Sequence, residues 1–165
     1  MDFALSEEQQ AIYDMARDFG AEHIAPFADK WDETAEMPRE MLEEAAKLGL
    51  AAIYVPEDQG GSGLSRLDAT LIFEALALSC PSVSSFLSIH NMITWMVATF
   101  GNETLKDKYL ADLCQMKKIG SYCLTEPESG SDAAALRTKA VRTNEGYQLT
   151  GTKSFISGSD YSDLY

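Results

Sequence analysis

Two segments of the chain carry residue types that could do chemistry. Tyr122-Cys-Leu-Thr-Glu-Pro-Glu-Ser-Gly-Ser-Asp132 gathers hydroxyls, a glycine and acids into one run, and Lys153-Ser-Phe-Ile-Ser-Gly158 follows further along the chain. In the first, Thr125-Glu-Pro127 turns the chain out of a strand. Gly130-Ser131 then exposes backbone N–H groups and a hydroxyl that an anion can approach closely, a nest that binds phosphate without a basic side chain. In the second, read as a strand, Phe155 and Ser157 alternate with Ile156 and share one face about 7 Å apart. An aromatic plane and a hydroxyl in that relation could stack on a fused ring and hydrogen-bond its polar edge. Together the segments suit a planar cofactor that carries phosphates. Ser/Gly turns and strand aromatics also serve structure alone, and the pattern leaves that reading open.

The elements that must position these segments come in two kinds. Ser6 with Gln9 has capping-box spacing, and Ile12, Met15, Ala16, Phe19 and His23 recur at helical intervals, which predicts a helix over 6–25 ended near Pro26. Pro38 fits the first position of a second helix that carries Met41, Leu42, Ala45 and Leu48, and Gly49 fits the residue after its last turn. Ser65 with Asp68 opens a third helix, which Cys80-Pro81-Ser82 breaks. Residues 83–100 are apolar on most faces, the pattern of a helix buried in a bundle or at a subunit contact. Gly101 closes it, and Asn102 caps a short helix through Leu113.

After Lys118 the periodicity changes. Residues 119–124 read as a short strand, and 140–143 and 147–150 as a hairpin whose turn is supplied by Asn144 and Gly146. Residues 153–157 read as another strand, and 162–165 as the opening of one more. This predicts an all-α domain over 1–118 followed by the first strands of a β domain over 119–165, a multi-domain α and β chain. A sheet that stops there is marginal on its own.

Composition narrows the partners. Of the 165 residues 45% are hydrophobic, which suits a globular fold. The net charge of −13 repels nucleic-acid backbones and anionic lipid alike. That acidity belongs mainly to residues 1–118, with 9 basic and 20 acidic residues against 4 and 6 in 119–165. No apolar run approaches the ~20 residues of a membrane span. The opening Met1-Asp-Phe-Ala-Leu-Ser-Glu-Glu resembles neither a signal nor a transit peptide, so the expected location is the cytoplasm of a bacterium or, after processing, the mitochondrial matrix.

Other candidate groups carry less. Cys80, Cys114 and Cys123 have no metal-ligand spacing and read as buried thiols; His23 and His90 read as packed or solvated histidines, and no metal site is expected. Gly60-Gly61-Ser62-Gly63 is a turn before the Ser65 cap rather than a phosphate loop. Glu7-Glu8 and Glu43-Glu44 diverge around their helices and read as solvated faces. Glu126 and Glu128 belong to the Thr-Glu-Pro turn and read as surface acids.

Tyr122-Cys-Leu-Thr-Glu-Pro-Glu-Ser-Gly-Ser-Asp132 resembles the Thr-Glu-Pro…Gly-Ser-Asp signature of the acyl-CoA dehydrogenases. Pro56-Glu-Asp-Gln-Gly-Gly-Ser-Gly-Leu64 and Phe73-Glu-Ala-Leu-Ala77 follow the family's order and spacing, and the resemblance covers essentially the whole chain. Gly63-Leu-Ser-Arg-Leu-Asp68, Ser88-Ile-His-Asn-Met92 and Phe155-Ile-Ser-Gly158 look most like the branch acting on isobutyryl-CoA, a short branched thioester of valine breakdown.

The resemblance implies an FAD enzyme with a helical N-terminal domain, a β-barrel-like middle domain and a C-terminal four-helix domain, assembled as a homotetramer. It implies acyl-CoA as substrate and an electron-transferring flavoprotein as electron acceptor. Carried over by position, Tyr122, Leu124 and Thr125 border the flavin, the Thr125 hydroxyl bonds its pyrimidine side, and Gly130 and Ser131 approach the cofactor. Ser131 also contacts the acyl-CoA. Phe155 packs on the ring beside Ile156, and Ser157 bonds near N5. Phe155 stands where tryptophan is usual and Ser157 where threonine is, each keeping its chemical type, while Ser159-Asp160 replaces small residues. The family's proton-abstracting glutamate belongs to the C-terminal helical domain, so no catalytic residue is assigned here. The resemblance therefore also implies that these 165 residues alone bind FAD weakly and have no turnover.

Two other readings use the same residues differently. A non-catalytic helical module would use the apolar helix 83–100 and an acidic surface to bind a protein, and would have no use for FAD. An acyl-CoA oxidase would pass electrons to oxygen and make peroxide.

Overall fold

A computed structural model describes residues 4–165, so Met1, Asp2 and Phe3, the start of the stretch read for a targeting segment, lie outside the described residues. Among the described residues six α-helices precede one hairpin: α1 Glu7–His23, α2 Ala28–Thr34, α3 Arg39–Lys47, α4 Arg66–Ala77, α5 Pro81–Phe100 and α6 Glu103–Cys114, then β1 Lys139–Thr143 and β2 Gly146–Thr150. The expected order of an all-α part followed by the first β elements is what forms.

The helix starts follow their local chemistry. Ser6 and Gln9 close a reciprocal capping box on α1, Ser65 and Asp68 another on α4, and Asn102 accepts the Leu105 amide at 2.9 Å to start α6. The expected break at Cys80-Pro81-Ser82 separates α4 from α5, and Pro81 is itself the first residue of α5, where its missing N–H costs nothing. Pro38 lies one residue earlier than expected, as the N-cap of α3. The short α2 has no counterpart in the apolar periodicity, because no side chain in it is fully buried.

α1 packs on α4, α4 on α5, and α5 on α6. Leu42, Ile53, Ile72, Leu76, Leu87, Met116 and Ile119 are at most 1% exposed in the main core. Inside it, the Asn91 amide is used on both sides: Oδ1 accepts from Ile53 N at 2.7 Å, and Nδ2 donates to Leu50 O at 2.7 Å and Leu87 O at 2.9 Å. That side chain holds the 50–53 turn against α5. Gly61 lies so close to Val55 that a Cβ would meet its carbonyl oxygen at 2.1 Å.

The β part departs from two expectations. Residues 119–124 form no strand; Gly120 makes one parallel bridge to Leu164, with Ser121 N donating to Leu164 O at 2.8 Å. Residues 153–157 form no strand either. A strand needs a neighbour along its length, and the backbone bond this segment makes across to the first segment is Ser154 N to Thr125 O at 2.9 Å. Phe155 takes φ 57°, which breaks the extended run and the alternation that was to put Phe155 and Ser157 on one face. The hairpin forms as expected, with Arg142 opposite Tyr147 and every residue of both strands exposed. Among the described residues no helix is long and apolar enough to cross a membrane.

Candidate functional site

The structure brings the two chemical segments of the sequence side by side. Three hydrogen bonds join them: Ser154 N donates to Thr125 O at 2.9 Å, and Lys153 Nζ donates to Leu124 O at 2.9 Å and to Glu126 Oε1 at 3.0 Å; just ahead of the first segment, the Ser121 hydroxyl donates to Ser157 O. Tyr122, Leu124, Thr125, Ile156 and Ser157 are half-buried, whereas Gly130 and Ser131 are exposed. Phe155 is 96% exposed, an aromatic ring offered almost whole to the outside by a left-handed backbone. A Cβ built on Gly130 would meet nothing within 4 Å.

Glu126 is not the surface acid expected of it. Its side chain is 6% exposed and its oxygens accept from Arg137 N at 2.6 Å, Thr138 N at 2.9 Å and Lys153 Nζ at 3.0 Å. The Thr138 hydroxyl beside it, those two amides and the ammonium hold its carboxyl down at about 2 despite the cost of desolvation. Glu128 does remain on the surface, paired with Arg137. No local feature of the turn marks Glu126, whose counter-charge is supplied by Lys153, 27 residues further on.

The far end of the second segment is moored to the helices. Gly158 has φ 74° and lies against α5, where a Cβ would meet Phe86 Cε2 at 2.9 Å. Tyr161 donates its hydroxyl to Met37 O at 2.7 Å, and Arg39 donates to Tyr161 O at 2.7 Å and to Asp163 at 3.0 Å. Burial pushes the Tyr161 phenol up to about 12, so it stays a donor. Asp163 also accepts the Ile119 amide at 2.9 Å. Arg39, Tyr161 and Asp163 carry no periodic signal, and sequence reasoning missed them.

An apolar cleft of about 690 Å³ opens between α5 and the hairpin, with Ile93, Met96, Tyr122, Leu149 and Tyr165 in its wall. Thr125, Ser131, Phe155 and Ser157 do not line it. A second cavity of about 590 Å³ adjoins Gly158, between Met37, Phe86 and Tyr161. Of the thiols, Cys114 is buried and its pKa is pushed up to about 11 by burial, while Cys80 and Cys123 are only half-buried. Among the described residues no cluster of His, Cys, Asp and Glu could hold a metal ion.

Matches to known proteins cover nearly all of the chain. The profile of the acyl-CoA dehydrogenase N-terminal domain matches residues 6–117, and that of the acyl-CoA dehydrogenase middle domain matches 121–165. The chain is 51% identical over 161 residues to a mitochondrial isobutyryl-CoA dehydrogenase of Dictyostelium discoideum, covering 98% of this chain and 39% of that protein. Its fold superposes on glutaryl-CoA dehydrogenase from Mycobacterium smegmatis with a TM-score of 0.91 at 32% identity, over 97% of this chain and 43% of that one. An FAD complex of PigA gives 0.89 at 33%, over 99% and 44%. The chain thus spans about two-fifths of the length of the proteins it matches. By these matches and by its fold, it belongs to the acyl-CoA dehydrogenase family, a family of FAD-dependent oxidoreductases.

Proposed function

We propose that the chain supplies the helical part and one flavin-facing wall of an enzyme that removes two hydrogens from the α and β carbons of a short branched acyl-CoA. Isobutyryl-CoA is the substrate favoured, and an electron-transferring flavoprotein the acceptor. The observation that carries this reading is the joining of the Tyr122–Asp132 and Lys153–Gly158 segments through Leu124, Thr125, Lys153 and Ser154, with Phe155 and Ser131 left exposed. Identity to an isobutyryl-CoA dehydrogenase supports the branched substrate.

The residues present fit FAD. The Thr125 hydroxyl has no hydrogen-bond partner among the described residues and is free to donate to the pyrimidine side of the ring. Gly130 and Ser131 offer open backbone and a hydroxyl. The exposed Phe155 ring would cover the flat face of the ring system and exclude water from it, and the Ser157 hydroxyl would be a donor toward its polar edge. FAD, when bound, supplies the two-electron acceptor for the hydride leaving the β-carbon.

No residue of this chain is proposed as the base that takes the α-proton. Glu126 is fully engaged by its amides and Lys153, and Glu128 is exposed and paired. The exposed hairpin face and the apolar cleft of about 690 Å³ support assembly with further structure, and a homotetramer is the form proposed.

The test is anaerobic titration of the protein expressed from its complete reading frame. Bleaching of a bound flavin by isobutyryl-CoA in preference to straight-chain and longer thioesters, with electrons passed to electron-transferring flavoprotein and little peroxide, is the expected result. Peroxide as the main product would make it an oxidase, and absence of flavin would remove the reading. The 165 residues expressed alone are expected to bind FAD weakly and show no turnover.

A further inference from the structure

Glu126 occupies a junction that neither the flavin reading nor the family match assigns. Its Oε1 accepts from Thr138 N at 2.9 Å and Lys153 Nζ at 3.0 Å, and its Oε2 from Arg137 N at 2.6 Å. Residues 126 and 137–138 are the two ends of the loop that carries Gly130 and Ser131, so one carboxylate closes that loop on itself. β1 begins at the next residue, Lys139, so the base of the hairpin is pinned as well. On its other side Lys153 donates to Leu124 O at 2.9 Å, and Ser154 bonds Thr125 O at 2.9 Å. Three chain segments meet at a single ion pair whose side chains are 6% and 23% exposed.

An ion pair so far removed from water is a costly way to gain stability alone, since desolvation offsets most of its attraction. What it fixes is geometry: a carboxylate with two amides and an ammonium on it has one arrangement. We infer that Glu126 is a positioning residue for the flavin wall, its pairing with Lys153 setting the spacing between Thr125, the Gly130-Ser131 loop and the Phe155–Ser157 turn. The inference rests on the proposed flavin function. It concerns a carboxylate whose polar contacts are made within the chain itself.

The experiment uses the protein from its complete reading frame, with E126Q, K153M, the double variant and K153R. E126Q keeps the volume but turns an NH2 toward groups that are themselves donors, and K153M leaves the carboxylate without its counter-charge. Each is expected to weaken FAD binding by about tenfold or more and to alter the visible circular dichroism of the bound flavin. The double variant should lose less than the product of the two, and K153R should stay within about threefold of wild type.

A purely structural role would lower the melting temperature of the apoprotein while leaving the affinity and flavin signature of the folded protein unchanged, and that result overturns the inference. Should E126Q fail to fold, equal FAD affinity in K153M and K153R overturns it instead. A wild-type protein that takes up no FAD removes the proposed function and this inference with it. FAD binding by wild type beside unchanged variants removes this inference alone.

Discussion

His90 Nδ1 accepts the amide of Gly120 at 3.2 Å, while its Nε2 lies 2.9 Å from the carbonyl oxygen of Leu113. An amide can only donate, so Nδ1 carries no proton and the ring is the neutral tautomer with Nε2–H donating to Leu113. The imidazole is fully buried, and it joins α5, the end of α6 and the neck that leads into Tyr122. Gly120 itself allows the approach, since a Cβ there would meet Ile93 Cγ2 at 2.5 Å.

A pH dependence follows from that ring. Burial lowers its pKa from 6.5 to about 4, against a smaller opposing effect of the Leu113 bond. The folded state therefore refuses a proton that the unfolded state accepts. Stability from this group is complete above pH 6.5 and is lost as pH falls through about 4. The loss amounts to at most about 3 kcal/mol. H90Q has no such proton to take up, so urea unfolding of the two proteins across this range should show a steeper acid loss in wild type. Parallel curves would contradict the assignment.

Asn91 offers a second, pH-independent test. Replacing it by alanine leaves the Ile53 amide and the Leu50 carbonyl buried with no side-chain partner. The expected cost is roughly 3 kcal/mol, because orphaned buried groups lose their full solvation. A denaturant midpoint of Asn91→Ala within error of wild type would show that the 50–53 turn does not depend on α5.

The helices were legible where local chemistry decides them. Capping boxes at Ser6 and Ser65, the Asn102 cap and Gly49 at φ 79° each act over a few residues, and sequence spacing records them. The β part was legible only at the hairpin, whose pairing is also local. The expected strands at 119–124 and 153–157 depend on partners distant in sequence, and in the structure the first pairs only briefly, at Ile119–Ser121 with Asp163–Leu164, while the second meets Thr125 through one backbone bond. Glu126 was misread for the same reason. Its burial depends on Lys153, 27 residues further on, and nothing in a turn sequence reports that.

Gly61 and Gly130 separate fold from site. A methyl at Gly61 would stand 2.1 Å from Val55 O and 2.5 Å from Val55 Cβ, a clash with backbone that cannot move cheaply. Gly61→Ala should cost roughly 2–4 kcal/mol by denaturant unfolding. At Gly130 the same methyl meets nothing within 4 Å, so Gly130→Ala should leave stability within about 0.5 kcal/mol. If the loop cradles a phosphate-bearing cofactor, that methyl occupies the approach path, and FAD binding measured by fluorescence quenching should weaken by about fivefold or more. Equal affinity would take Gly130 out of the site.

Phe155 gives the sharpest contrast between what the fold needs and what the site needs. Its ring is 96% exposed and its backbone sits at φ 57°, where a side chain with a Cβ is strained by about 1 kcal/mol. Glycine at this position has no such penalty and removes no buried surface. Phe155→Gly should therefore unfold at the same denaturant concentration as wild type or slightly higher, the gain in backbone ease set against the freer unfolded chain. The same change deletes the aromatic plane proposed to pack on the flavin, so bound FAD should be lost or its visible spectrum shifted. Phe155→Trp, which keeps the plane, should restore both. A variant that is destabilised yet retains an unaltered flavin spectrum would mean that the strain serves the fold and that the ring does not meet the cofactor.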